Sequence, residues 1–332
     1  MQYIGHLSRG DDFHAFLARD ILPLLGHSGA DPEFRVFRLP GSNHVYLYEE
    51  RRTGLRVIGK FFGRGGTRPR DVACRRMARE HGNLEHARSL GFAGFPHYVV
   101  RPLGANGDTD CALVVEHCHG KTLSQVILEA IREGSRGPLF EKLSNLAAFL
   151  AALHNRTADG RGVDFHRECG YFEYVAGQLL AWGLLGQGDF DRLRGKMNAW
   201  RERPDAWEDQ QVLVHGDATP ANFLFGDAPW VIVLDLERMR RSDRVFDVGR
   251  VAGELKYFFL QYAGDPEKAE PFIGHFLWEY AGHFPDQGGA FASICRRVPF
   301  YLGLTLLRIA RNHWIDGRHR RALLAQAERT LS

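Results

Sequence analysis

His215-Gly216-Asp217-Ala218-Thr219-Pro220-Ala221-Asn222, followed thirteen residues after the asparagine by Asp235 within Val231-Ile232-Val233-Leu234-Asp235-Leu236, is the stretch that decides the fold. Asn222-Phe223-Leu224-Phe225, the turn-forming Gly226-Asp227-Ala228-Pro229 and the run from Trp230 to Leu236 read as a β-hairpin with a four- or five-residue loop. Antiparallel pairing about a centre near residue 227 sets Asn222 opposite residues 233 to 235. In such a ladder facing Cβ atoms are roughly 5 Å apart, so the asparagine and the aspartate are expected to share a cation at the open end of the hairpin.

A carboxylate embedded among valine, isoleucine and leucine loses hydration and needs a compensating charge. Mg²⁺ suits that need, because it prefers hard oxygen ligands and is held by one or two protein groups together with substrate phosphates. Asp217, five residues before Asn222, is then left to orient a hydroxyl nucleophile. Turn preference explains an isolated His-Gly-Asp, since Asp, Asn, Gly and Pro all favour turns. It does not explain why Asn222 and Asp235 fall in register with it.

The pattern resembles the aminoglycoside phosphotransferase and choline kinase family, which shares the protein kinase fold. In that family a His-Gly-Asp loop carries an asparagine five residues on, and the hairpin ends in Asp-x-Asp or Asp-x-Glu, matched here by Asp235-Leu236-Glu237. The resemblance implies an α+β, bilobal protein-kinase-like fold: a small antiparallel-sheet N-lobe with one main helix, and a mostly helical C-lobe. It implies ATP and Mg²⁺ as cofactors, Asp217 as catalytic base, Asn222 and Asp235 as metal ligands, and Glu237 as an assisting acid. His215 and Asp247, the latter in Val245-Phe246-Asp247-Val248-Gly249, are expected to support the catalytic loop. A helix-start acid stabilised by the dipole would explain Asp247 equally, and the two roles are compatible.

Phosphoryl transfer also needs a cation on the nucleotide phosphates. Val57-Ile58-Gly59-Lys60-Phe61-Phe62 is a strand carrying one lysine, and Arg70 to Leu90 has helical periodicity with Val72, Met77, Leu84, Ala87 and Leu90 apolar. Glu80 and Glu85 are both candidate partners for Lys60; the family spacing, a leucine four residues on, selects Glu80 with Leu84 and holds Glu85 in reserve. Upstream, strand-like runs flank Pro40-Gly41-Ser42-Asn43, a tight loop able to cover phosphates with backbone N–H groups. It is neither Gly-x-Gly-x-x-Gly nor Gly-Lys-Ser/Thr, and by resemblance Ser42 and Asn43 are the phosphate contacts. Cys111 to Glu116 is an apolar strand running into Glu116-His117-Cys118-His119, which resembles the hinge that pairs with adenine and makes Glu116 and Cys118 the nucleotide-edge residues. A zinc site there would need a second ligand pair, which the sequence lacks.

The chain has 332 residues, 44% of them apolar and 25% charged, as expected for a soluble protein of two domains or one bilobal unit. The expected division is an N-terminal helical extension over 1–30, a nucleotide-binding N-lobe over 31–116 and a C-lobe over 117–332. The extension carries Phe13, Phe16, Leu17, Ile21 and Leu24 on one helical stripe. Helices are expected over 123–133, 140–154, 173–185, 190–200, 246–262, 269–284 and 290–312. Five scattered cysteines without a paired motif fit a reduced, cytoplasmic protein. A net charge of +3 without a concentrated basic face argues against a nucleic-acid partner. The lack of a long uninterrupted apolar run argues against a membrane span.

The resemblance makes a small-molecule hydroxyl the acceptor. The competing protein-kinase reading is disfavoured because Gly216 replaces the arginine of His-Arg-Asp and only eleven residues separate Asp235 from Asp247. A catalytically silent nucleotide-binding scaffold need not keep Lys60, Asp217, Asn222 and Asp235 together. Two groups give opposite hints about the acceptor: Phe276, Trp278, Tyr280 and Asp286 are ingredients of an amine cage, whereas Arg308, Arg311 and Arg318 to Arg321 suit an anion or a solvated basic helix.

Overall fold

The computed structural model describes residues 1–27, 31–40, 44–65, 69–226 and 229–332. They divide into two compact units, one of Met1–Gly120 with Ile232–Arg238, the other of Lys121–Val231 with Met239–Ser332.

The first unit opens with β1 (Gln2–His6) and the short helix α1 (Asp12–Phe16), followed by β2 (Phe34–Arg38), β3 (His44–Glu50) and β4 (Arg56–Phe61). Helix α2 (Arg70–Ala87), the two-residue β5 (Ala93–Gly94), β6 (His97–Val99), β7 (Pro102–Asn106) and β8 (Ala112–Glu116) complete it. The main sheet has the order β1-β2-β3-β4-β8-β7, every neighbouring pair antiparallel. Alternation explains the start of β2: Phe34 and Val36 are buried while Arg35 between them is exposed. Under this sheet lie Phe13, Phe16, Leu17 and Ile21, packed with Val36, Tyr48, Val57 and Phe61, so the N-terminal stripe finds the partner its periodicity requires. The stripe is not one helix. After α1, capped by Asp11 accepting from Phe13 N at 2.8 Å, the turns widen over 17–21 and tighten over 22–25, where Pro23 lacks the donor an α-turn needs, and Leu24 is left exposed.

Helix α2 buries Ala73, Met77, Leu84 and Ala87 at the spacing its sequence predicts. One expectation is corrected here: Cys74 on α2 and Cys111 are joined by a disulfide, their Cα atoms 5.0 Å apart, which leaves Cys118, Cys169 and Cys295 as thiols. The pairing was hidden because two cysteines 37 positions apart form no cysteine motif; only the packing of α2 brings the two together.

In the second unit β9 (Lys121–Thr122) pairs with β11 (Phe223–Phe225), and Thr122 and Gln125 form a capping box that starts α3 (Leu123–Glu133). Helices α4 (Arg136–Thr157), α5 (Phe165–Ala181) and α6 (Gln187–Arg201) lead to β10 (Gln211–Val214). The strand β12 (Val231–Val233) places Ile232 and Val233 in the first unit, and β13 (Arg240–Asp243) returns the chain to pair antiparallel with β10. Four helices follow: α7 (Val245–Ala263), α8 (Glu270–Ala281), α9 (Gln287–Ala310) and α10 (Gly317–Thr330). Helix α9 is long and apolar enough to cross a membrane by composition alone, but most of its surface is buried against α7, α8 and α10, as in a core helix. The α7–α9 contact is unusually close: a Cβ on Gly253 would lie 2.7 Å from the Thr305 side chain, and one on Gly249 would strike Tyr301. The α+β architecture, antiparallel sheet first and helices after, is the expected one.

Candidate active site

In the first unit, β4 delivers Lys60 into a pocket of acids. Its Nζ lies 2.6 Å from Glu80 Oε2 and 3.1 Å from Asp235 Oδ2. Glu85, the reserve partner, instead faces outward beside His81 at 3.4 Å. Asp235 follows β12, which is fixed from the β6 side by Val100 N donating to Val233 O at 3.0 Å. Its φ of +55° is in the left-handed region, a strained conformation that aims the carboxylate at the lysine. Burial alone would make Lys60 easier to deprotonate, but Glu80 and Asp235 outweigh it and hold the ammonium charged. Burial likewise pushes Glu80 up, to about 7, with Asp235 adding to the effect and Lys60 opposing it.

Two further residues of α2 join this cluster. Arg76 Nη2 donates to both carboxylate oxygens of Glu237, at 2.6 and 2.9 Å, and Asn83 Nδ2 donates to Leu236 O at 2.7 Å. Arg76, Glu80 and Asn83 stand at i, i+4 and i+7, one face of the helix, so α2 grips the 235–237 segment at three successive turns. Helical spacing from Glu80 was the available signal for both. Among the described residues, Glu80, Asp235 and Glu237 are the one group of three potential ligands whose atoms come within 4.8 Å of one another. At the end of β8, Glu116 accepts from Tyr98 Oη and from Arg101 N, each at 2.6 Å, so its side chain braces the strand end. The Cys118 thiol nearby is pushed up to about 12 by burial and stays protonated. Ser42 and Asn43 lie outside the described residues.

The second unit holds the His-Gly-Asp loop, which leaves β10 at a turn where Gly216 has φ +78°, a conformation that costs glycine little. Asp247, at the start of α7, clamps the loop: its Oδ2 accepts from His215 N at 2.6 Å and its Oδ1 from Gly216 N at 3.0 Å. His154, at the C-terminal end of α4, stands 3.3 Å from Asp247 through Nε2 and 2.8 Å from Tyr280 Oη through Nδ1. Burial pushes this imidazole down, so the neutral tautomer with the proton on Nε2 satisfies both partners. Burial alone would raise the Asp247 carboxyl, but the bonds from His154 and Gly216 hold it below the usual range. Asn222 Nδ2 donates to Asp217 O at 2.9 Å, which fixes the amide and makes its carbonyl oxygen the atom suited to a cation. Asp217 itself is met by Arg250, whose Nη1 donates to Oδ1 at 2.7 Å and to Gly216 O at 3.0 Å. Arg308 Nη1 lies 3.8 Å from the same oxygen.

The aromatic group does not assemble as an amine cage: Phe276 and Tyr280 are core residues, and Asp286 caps α9 by accepting from Gly289 N at 2.9 Å. Nor is the basic run one solvated helix: Arg308 on α9 is half-buried, with 14% of its side chain exposed, and Arg320 on α10 caps the end of α9 through Ala310 O at 2.9 Å.

A model of the phosphotransferase enzyme family matches residues 33–282, three quarters of the sequence. The chain belongs to the phosphotransferase enzyme family. No curated protein matches it significantly. Among solved structures, the ethanolamine kinase of Plasmodium vivax superposes with a TM-score of 0.63 at 12% identity, over 91% of this chain and 83% of that one. The choline kinase of Cryptosporidium parvum gives 0.63 at 10% identity, over 96% and 94%. An ADP-bound aminoglycoside phosphotransferase gives 0.57 at 15% identity, over 94% and 99%. At these identities the likeness establishes the kinase-like fold. Within this phosphotransferase, the family-matched span includes Lys60, Glu80, Asp217, Asn222, Asp235 and Asp247, and ends before α9 and Arg308.

Proposed function

We propose that this phosphotransferase moves the γ-phosphoryl group of ATP to a hydroxyl of a small molecule, with Asp217 as the base. The observation that carries the reading is the Asp217 loop: its backbone is clamped by Asp247, its carbonyl is tied to Asn222, and its carboxylate is presented beside two guanidiniums. A carboxylate so fixed suits a reaction in which positioning and electrostatics supply most of the rate. The hydroxyl proton passes to an Asp217 oxygen as the oxygen–phosphorus bond forms.

The Asn222 carbonyl oxygen and the Asp235 carboxylate, the latter with Glu80 and Glu237 beside it, are each the hard oxygen ligand that Mg²⁺ takes. When bound, the ion would neutralise the negative charge of the phosphates. Lys60, already placed against Asp235 and kept charged by Glu80, would bind the non-transferred phosphates. Glu116 would hold the β8 end in place for adenine through its bonds to Tyr98 and Arg101.

The test is ADP release with Mg·ATP and a panel of hydroxylated small molecules. Asp217→Asn is expected to bind Mg·ATP as the parent does and to lose turnover by about 10²- to 10⁴-fold. Full turnover in that variant would remove Asp217 from the role.

A further inference from the structure

An acceptor hydroxyl that reaches Asp217 comes near Arg308. A hydroxyl hydrogen-bonded to Asp217 Oδ1 sits within about 7 Å of Arg308 Nη1, given the 3.8 Å between Nη1 and that oxygen. That guanidinium is only partly engaged. A guanidinium carries five N–H donors, and the hydrogen bond of Arg308 runs from Nη2 to Glu254. Its Nε, like that of Arg250, has no partner among the described residues but is enclosed, so the donors of Arg308 left to a ligand are those of Nη1, which makes only the 3.8 Å ion pair with Asp217. Arg250 is 2% exposed as a side chain and committed to Asp217 and Gly216, whereas Arg308 keeps 14% of its side chain open.

The packing that places the two cations is not incidental. Arg250 stands one turn beyond Asp247 on α7, and the close α7–α9 approach at Gly249 and Gly253 draws α9 inward, so that Arg308 arrives beside the base. The second acid of the group, Glu254, is already taken by Arg308. An ammonium brought to Asp217 would face two guanidiniums and no uncommitted carboxylate of this group; an oxyanion would meet charge and unfilled donors. Burial and the neighbouring Arg250 weaken the hold of Arg308 on its proton, a penalty that a bound anion relieves. Arg308 also lies beyond residues 33–282, so it is a feature of this chain rather than of the matched family span.

We propose that the acceptor is an anion, carrying a carboxylate or phosphate close to its reacting hydroxyl, and that Arg308 is the specificity residue that binds this group. The inference rests on the phosphotransferase reading above and deepens it. The hydroxyl oxygen attacks the γ-phosphorus, the bond to the departing ADP oxygen breaks, and the hydroxyl proton goes to Asp217 while Arg308 holds the anionic group in place.

The experiment compares matched acceptors that differ in charge: glucose, gluconate, glucose 6-phosphate and glucosamine, with glycerol, glycerate, glycerol 3-phosphate and 3-amino-1,2-propanediol as a smaller series. Full-length protein is assayed for ADP release and for Mg·ATP binding. The expected result is that anionic members are turned over, or compete in basal ATP hydrolysis, at concentrations at which their neutral and cationic counterparts do neither. Carboxylate and phosphate arms distinguish the two sources of the anion. Arg308→Gln combined with Glu254→Gln, which removes one charge of each sign, should raise KM or the inhibition constant for the anion roughly 10²-fold. Arg308→Lys, which keeps the charge but not the fork, should restore part of it. Preference for the amino or neutral members, no effect from any anion, or an anion constant unmoved in the double variant overturns the proposal. Absence of Mg·ATP binding and of ADP release together would instead sink the phosphotransferase reading, and this inference with it.

Discussion

At the scale of single residues, the site is built from charges that burial would otherwise forbid, each rescued by a named neighbour. Asp247 shows how much rests on one of them. It is fully buried and accepts from two consecutive backbone N–H groups and from His154. Asp247→Asn keeps the shape but turns an N–H₂ group toward one of those donors, so the variant is expected to lose about 2–3 kcal/mol of stability at pH 7. The pH dependence follows from linkage. The folded carboxyl lies below its unfolded value, so its contribution is complete above about pH 4 and is lost as pH falls toward the folded value. Urea midpoints of parent and variant should therefore converge below about pH 4; a gap that stays constant from pH 7 to 3 would contradict the role given to the carboxylate. Sequence reading singled out Lys60, Glu80, Asp217, Asn222, Asp235 and Asp247 because their types and spacings are dictated by chemistry; the structure sets Lys60 against Glu80 and Asp235, and puts Asp217 and Asn222 on the loop that Asp247 holds. It left Arg308 open between an anionic partner and a solvated helix, because packing set by two glycines on another helix leaves no mark on the arginine's own neighbourhood.

At the scale of elements, α2 connects the sequence pattern to the geometry of the first unit. Its apolar residues set which face meets the sheet, and that choice leaves Arg76, Glu80 and Asn83 aligned on the 235–237 segment. Most long periodic helices such as this were legible in advance within a few residues at each end, but α5 starts eight residues before its expected beginning at 173. Strands of two to four residues, such as β5, β6, β9, β10 and β13, were not, because so short a run carries no measurable period. The end of α9 was expected at 312, but α10 beyond it was not assigned: the arginines on both sides look alike in sequence although one stands beside Asp217 and another caps a helix. The Cys74–Cys111 disulfide adds a covalent tie near the start of α2, closing a loop of 37 residues. In the chain-entropy picture such a loop contributes about 4 kcal/mol. Reduction, or Cys74→Ala with Cys111→Ala, should lower the urea midpoint accordingly and speed amide exchange in the first turns of α2. An unchanged midpoint on reduction would mean that the bond does no stabilising there.

At the scale of the whole molecule, the two units are not two consecutive halves of the chain. Ile232–Arg238 comes from far downstream yet belongs with Met1–Gly120. Those seven residues supply Val233 to pair with Val100, Asp235 to neutralise Lys60, Glu237 to receive Arg76 and the Leu236 carbonyl to receive Asn83. A fragment ending at Gly120 would leave Val99 and Val100 without their neighbouring strand and Lys60 with Glu80 alone. Loss of one ion pair and one strand partner amounts to a few kcal/mol, and in a domain of this size each kcal/mol moves Tm by about 4–8 °C. The 1–120 fragment is therefore expected to melt broadly or at least 10 °C below the same fragment extended through a Gly/Ser linker into residues 229–238, by an amount set by the estimate above. The same extension carrying Asp235→Ala and Glu237→Ala should recover only the part owed to strand pairing. If the bare fragment melts as sharply and as high as the extended one, the 232–238 segment is a passenger of the first unit, and the integrity of the Lys60 cluster does not depend on it.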